Sequence, residues 1–229
     1  MLIGGLQPVT ILDYPQKVAA IIFTAGCNMR CPFCHNSNLV LPELINNDNL
    51  YKEDQVIDFL KRRKKYLDGL VITGGEPTLQ PDLPDFLKKI KKLGYDIKLD
   101  TNGLWPEKVD ELIKGNLIDY IAMDIKGPED SYEKFSGVKA GRISETIKII
   151  MDSGLPYEFR STLVKGLHNQ VSLEAMAKLI AGARIYYLQN YSGNEPLAGA
   201  NFKGKPFTAG ELEKLKKIAS QQVQVCQVR

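Results

Sequence analysis

Three cysteines crowd into eight residues, Cys27-Asn-Met-Arg-Cys31-Pro-Phe-Cys34, a C-x3-C-x2-C run. Thiolates are soft ligands suited to zinc or iron–sulfur. Structural zinc takes four protein ligands, usually from paired C-x2–4-C units, and here the local cysteines stop at three. A cubane cluster normally takes four cysteines, so three would leave one iron open to a small molecule. Taken alone, the run admits an open cluster, a zinc site completed by His35, or a closed site with Cys226 as the last ligand. His35 is adjacent to Cys34, which makes joint ligation of one ion awkward. Cys226 lies in the alternating tail QVQVCQVR and reads as a small buried strand residue.

The other residues able to do chemistry are scattered. Gly74, Gly75 and Glu76 lie in TGGEP, and glycines without a Cβ let a ligand approach the backbone. Asp100 and Thr101 lie in DTNG, Asp124 and Lys126 in MDIK, and His168 in LVKGLHN. Gln189 and Asn190 are weaker candidates. Ordinary structural roles compete with each: a strand-end turn for Gly-Gly-Glu-Pro, helix capping for the aspartates, a solvated lysine, a loop-packing histidine.

The elements around them give these residues a common address. Apolar, partly β-branched runs at Val18–Phe23, Leu70–Thr73, Asp96–Leu99, Tyr120–Ile125, Tyr157–Leu163 and Arg184–Asn190 read as strands. Between them, helical spacing is found over Lys52–Arg63, Leu83–Leu93, Glu107–Lys114, Ile143–Met151 and Val171–Ala181. Thr208 and Glu211 form a capping box for a last helix, and Gln222–Val228 reads as a final short strand. Six strand–helix alternations imply parallel strands with right-handed crossovers. A closed eight-unit barrel takes about 250 residues, so six units predict an α/β fold built as an open, partial (β/α)6 barrel in one domain, residues 1–229. Every candidate residue then falls at a strand's C-terminal end, where parallel α/β folds place their active sites.

The bulk properties fit an ordinary globular protein, with 44% hydrophobic and 25% charged residues and a net charge of +3. So small a charge does not argue for nucleic acid or membrane as the main partner. The basic run Lys61–Lys65 closes a helix, where cations complement the dipole, or forms a docking patch for an acidic partner. No apolar run approaches the roughly 20 residues of a membrane span, and Met1–Thr10 shows no secretory pattern. A cytoplasmic location is the expectation.

C-x3-C-x2-C after one strand and GGEP after the next resemble the radical S-adenosylmethionine (SAM) superfamily, with aromatic Phe33 before the third cysteine as is usual there. The resemblance covers nearly the whole chain. It implies a [4Fe–4S] cluster on Cys27, Cys31 and Cys34, and SAM as cosubstrate. GCNMRCPFCHN, TGGEP, LDTNG and MDIK look like the glycyl-radical-enzyme activases, and GGLQPVTILDYPQKVAAIIFTAGC looks most like activators of anaerobic ribonucleoside-triphosphate reductase. The DGPG-type lead-in of pyruvate formate-lyase activases is absent, and four cysteines cannot hold a second cubane.

By that resemblance, Phe33, Cys34 and His35 lie against the SAM adenine, and Gly74, Gly75 and Glu76 receive its ammonium. Asp100, Thr101 and Asp124 hold a monovalent cation near the SAM carboxylate, while Lys126 pairs with that carboxylate or with Asp124. His168 contacts SAM. The implied partners are a glycyl radical enzyme and a low-potential donor such as flavodoxin or ferredoxin. A small-molecule radical SAM enzyme of the carboxydeazaguanine-synthase kind is the alternative, although its QGEG-type lead-in is missing. A metal-stabilised binding or electron-transfer protein is the non-enzymatic alternative.

Overall fold

A computed structural model describes residues 1–192 and 202–229. Eight strands form one sheet: β1 (Ile3–Thr10), β2 (Ala19–Thr24), β3 (Gly69–Gly74), β4 (Asp96–Thr101), β5 (Tyr120–Asp124), β6 (Tyr157–Leu163), β7 (Tyr186–Asn190) and β8 (Cys226–Val228). Their order in space is their order in the chain, and all pairs from β2 to β8 are parallel. The sheet is open, with β1 and β8 as its edges. The helices are α1 (Ser37–Val40), α2 (Glu53–Arg63), α3 (Leu83–Lys92), α4 (Pro106–Lys114), α5 (Glu133–Ser136), α6 (Ile143–Asp152), α7 (Gln170–Leu179) and α8 (Ala209–Ala219).

The core follows from the sequence pattern. In β2, Ala19, Ala20, Ile21, Ile22 and Thr24 are buried and only Phe23 is partly exposed, the mark of a parallel strand covered on both faces. Helix α3 buries Leu83, Phe86, Leu87 and Ile90 on one stripe and turns its lysines outward. Helix α8 begins with the anticipated capping box, in which Thr208 accepts from the Glu211 amide and the Glu211 side chain accepts from the Thr208 amide.

One element departs from the six-unit expectation. Strand β1 precedes the barrel and pairs antiparallel with β2. Its sequence, IGGLQPVT, conceals it, because two glycines and a proline weaken any strand signal. An edge strand tolerates both, and the register slips between Gln7 and Thr10, where Pro8 cannot donate.

Inside the barrel, alternation puts every second side chain inward. The inward set on β4, β5 and β6 is charged: Lys98 and Asp100, Asp124, then Glu158 and Arg160. Lys98 and Glu158 are 1% and 0% exposed. Arg229 reaches Glu158 from the C-terminal end of the sheet and stacks on the Tyr187 ring.

Candidate active site

The three cysteines sit in the loop leaving β2, and their surroundings explain its shape. Gly26 turns the chain with φ +94°, and its carbonyl accepts from the Glu76 amide at 2.8 Å. A Cβ on Gly75 would lie 2.0 Å from that carbonyl oxygen. The two glycines of TGGEP therefore permit contact between the end of β3 and the start of the cysteine loop; the close neighbour is the protein's own backbone. Asn36, which sequence reasoning did not single out, ties the other end of the loop to β3 by donating to the Gly74 carbonyl at 3.1 Å.

From the outer side the loop is braced by the segment after β5. The Ser136 carbonyl accepts from the Arg30 amide at 2.7 Å and lies 3.9 Å from the Cys31 sulfur. Gly137 makes this approach possible: φ is +76°, and a Cβ there would lie 2.9 Å from Arg30 Cβ. Burial raises the Cys27 thiol to about 11 and the Cys31 thiol to about 12. Such thiols stay protonated until a metal compensates the thiolate charge.

All three cysteines line one cavity of about 460 Å³ at the C-terminal edge of the sheet. Phe33, His35, Gly74, Gly75, Glu76, Asp100, Thr101, Asp124, Lys126, Gln189 and Asn190 line it too, so the scattered motifs do converge. That volume is within the range of small-molecule sites. Among the described residues, no three His, Cys, Asp or Glu side chains gather as the ligands of a single metal ion do. Three thiols spread around a cavity suit a cluster, in which each binds a different iron.

Glu76 is 1% exposed and fully engaged. Its Oε1 accepts from the Thr78 amide, the Thr78 hydroxyl and the Thr101 hydroxyl, and its Oε2 accepts from the Asn102 amide at 2.7 Å. Burial raises its carboxyl against the pull of these donors. The carboxylate thus fixes the DTNG turn, and Asn102 in turn donates to Asn28 in the cysteine loop at 2.7 Å.

Asp100 and Asp124 meet through a residue absent from the sequence-based candidates. Arg160 on β6 gives Nε to Asp124 Oδ1 at 2.9 Å and Nη1 to Asp100 Oδ2 at 3.0 Å. Lys98 takes Asp100 Oδ1 at 2.6 Å, and Lys126 takes Asp124 Oδ2 at 3.0 Å. Burial alone would raise both carboxyls; Arg160 first, with Lys98 or Lys126, holds both below the usual carboxylate range. Each of the four carboxylate oxygens accepts from a protein cation, and the Thr101 hydroxyl is turned toward Glu76. Across these ion pairs, Lys98, Lys126, Arg160 and Arg229 outnumber Asp100, Asp124 and Glu158. Of these cations only Lys126 and Arg160 line the cavity, together with Asp13, Glu76, Asp100 and Asp124.

His168 stands one layer behind the cavity wall. It is 4% exposed; Nδ1 accepts from the Val164 amide and Nε2 donates to the Lys126 carbonyl, each at 3.0 Å. Its ring meets Phe33 edge-on at 5.7 Å. Burial is the main cause of a pKa lowered to about 4, so the imidazole is neutral. His35 meets the Tyr191 ring at 5.8 Å. Asn190 accepts from and donates to the Phe207 backbone, and Cys226 lies apart from the cavity on β8. The basic run Lys61–Lys65 closes α2 at the opposite end of the barrel, one length of β3 or about 20 Å from the cysteine end.

A radical SAM superfamily model matches residues 21–180. The chain belongs to that superfamily. A protein of Methanocaldococcus jannaschii described as a glycyl-radical enzyme activating enzyme is 33% identical over 232 residues, 97% of this chain and 93% of its own. The pyruvate formate-lyase-activating enzyme of Clostridium pasteurianum is 27% identical over 192 residues, 80% of this chain and 77% of its own. Among solved structures, Streptococcus suis SuiB bound to S-adenosylmethionine shares the fold, with a TM-score of 0.68 at 18% identity, covering 89% of this chain and 48% of that one. Membership implies a [4Fe–4S] cluster and SAM, and the three-cysteine loop and the cavity it opens on fit both.

Proposed function

We propose that this chain is a radical SAM activase that places a glycyl radical on anaerobic ribonucleoside-triphosphate reductase. The carrying observation is the convergence, on one cavity, of three cysteines with Lys126 and Arg160. When bound, the reduced cluster supplies one electron to the SAM sulfonium, and cleavage of C5′–S yields methionine and the 5′-deoxyadenosyl radical that takes a hydrogen atom from the glycine α-carbon.

The chain's own residues prepare that event. Cys27, Cys31 and Cys34 would hold three irons of the cluster, leaving the fourth for SAM. Lys126 and Arg160 supply the charge-assisted contacts that suit its carboxylate. Asp100 and Asp124 keep those cations oriented. Glu76 fixes the DTNG turn, and its buried negative charge favours the SAM ammonium nearby. The backbone around Phe33, Cys34 and His35 lies along the cavity and would face the adenine. His168 holds the Lys126 carbonyl and the Phe33 ring, and so acts on SAM through them. The neutral state of His168 adds no further positive charge beside the sulfonium.

The choice of reductase rests on the lead-in GGLQPVTILDYPQKVAAIIF; the whole-length relative supports an activating role without distinguishing the target. A pyruvate formate-lyase-type target is the second reading, favoured by the Clostridium relative. Both place the protein in the cytoplasm with a low-potential electron donor. The test is anaerobic reconstitution with iron and sulfide, reduction, and addition of SAM with either candidate partner. A glycyl-radical doublet in the electron paramagnetic resonance spectrum of the reductase alone supports the first reading. A doublet on the lyase alone selects the second, and SAM cleavage with neither rejects both.

A further inference from the structure

The cavity wall contributed by β6 and β7 carries two side chains that the assignments above leave unused. Thr162 and Gln189 are register partners across the β6–β7 pair, and both line the cavity. Strands at this spacing put the two side chains about 5 Å apart on the same face. Among the described residues neither makes a side-chain hydrogen bond. Their neighbours do: Arg160, two residues before Thr162, is locked to Asp100 and Asp124, and the Asn190 carboxamide is spent on both the amide and the carbonyl of Phe207. Two adjacent carboxamides thus have opposite fates, one consumed by the fold and one presented to the cavity.

The chemistry of the target narrows what this pair can read. A glycine has no side chain, so near its α-carbon the only polar handles are the flanking peptide N–H and C=O. A site for it needs a neutral acceptor and a neutral donor, side by side. A glutamine carboxamide offers both, and a threonine hydroxyl offers either. Charged groups suit this task poorly, and Arg160, on the same strand as Thr162, is already spent on Asp100 and Asp124. Thr162 and Gln189, neutral and without a side-chain hydrogen bond among the described residues, match an uncharged backbone. On the facing side of the open sheet, Gln7 of β1 and Asp13 also line the cavity, so the presented pair stands toward the uncapped seam.

We infer that Gln189 and Thr162 are specificity-determining residues that hydrogen-bond the peptide backbone flanking the target glycine. This rests on the glycine-directed activity proposed above. Leaving a backbone group unpaired against an apolar replacement costs the substrate complex and not the SAM complex, with a loss of about tenfold for a neutral hydrogen bond.

The test uses the reconstituted holoenzyme, reduced, with SAM and the full anaerobic reductase prepared with α-dideuterated glycine. Wild type should transfer deuterium into 5′-deoxyadenosine. The near-isosteric variants Gln189→Leu and Thr162→Val should bind SAM, and cleave it in the absence of reductase, within twofold of wild type. With reductase present, their half-saturating reductase concentration should rise about tenfold each, and the deuterated fraction of 5′-deoxyadenosine should fall. If Gln189→Leu weakens SAM binding without reductase, the pair belongs to the SAM site and the inference is wrong. Wild-type labelling and saturation in both variants overturn it equally. Absence of deuterium transfer by wild type would instead sink the underlying functional reading.

Discussion

Acidification from pH 7 to pH 5 should cost the folded chain about 2 kcal/mol through His168 alone. The imidazole is buried, both nitrogens are committed, and its pKa is lowered from 6.5 to about 4, by burial first and then by Lys126 and Lys134 against the two backbone hydrogen bonds. A base whose folded pKa is depressed binds fewer protons folded than unfolded. Its full stability is present above about 6.5 and drains as pH falls toward 4, reaching about 3 kcal/mol when both states are protonated. Asp100 and Asp124 contribute little in this window, because unfolded aspartate titrates near pH 3.9. The assay is urea unfolding of the cluster-free chain without oxygen, at half-unit pH steps from 7 to 5. His168→Gln should lose about 1 kcal/mol at pH 7 through one missing hydrogen bond, but should lack most of the slope. Equal slopes in wild type and variant would refute the assignment of a neutral, buried His168.

Three other outcomes follow from the geometry. Arg160→Gln leaves each of two buried carboxylates with one lysine partner in place of two cations and should cost about 1.5–3 kcal/mol along with measurable SAM affinity, whereas wild-type SAM affinity should be the same in potassium, sodium or tetramethylammonium salt; equilibrium dialysis checks both. Gly137→Ala forces a Cβ against Arg30 and takes φ of +76° from the residue that tolerates it, so iron retained after desalting should fall at least fivefold, what about 1–2 kcal/mol of left-handed backbone strain implies. Replacing Lys61, Arg62 and Arg63 by serine should leave the rate of cluster reduction by flavodoxin within twofold of wild type, since these residues lie at the far end of the barrel; stopped-flow bleaching of the cluster measures it.

Strands β2, β3 and β5 were legible as short, nearly continuous apolar runs and β6 by its alternation, and the cysteine loop because thiol spacing is local. What escaped is instructive in physical terms. Strand β1 breaks its own pattern with Gly4, Gly5 and Pro8, which only an edge position forgives. Lys98, Glu158 and Arg160 occupy strand positions where a charge reads as a solvent face, yet a partial barrel turns that face inward around a cavity. The clue available in sequence was opposite charge at two-residue spacing, KLD in one strand and EFR in another. Glu76 was read as a ligand for an ammonium, and its four internal donors lie two to 26 residues away, where no local pattern reveals them. The roles of Ser136 and Gly137 depend on a loop contact across the top of the sheet and leave no trace in periodicity.

That contact also sets an order of events. Since each strand pairs with its neighbour in the chain, a nascent polypeptide can add strands as they emerge, with no early strand waiting for a distant mate. The cysteine loop is the exception. Its brace, the Ser136 carbonyl against Cys31, arrives 105 residues later, and the guanidinium of Arg160 later still. During synthesis the thiols are therefore present well before anything holds them in place or walls them from solvent. Metal delivered in that interval would meet a loose loop and choose its own geometry, whereas metal delivered after β6 has docked meets a braced one. Fidelity of cluster assembly in this fold is a matter of timing as much as of ligand chemistry.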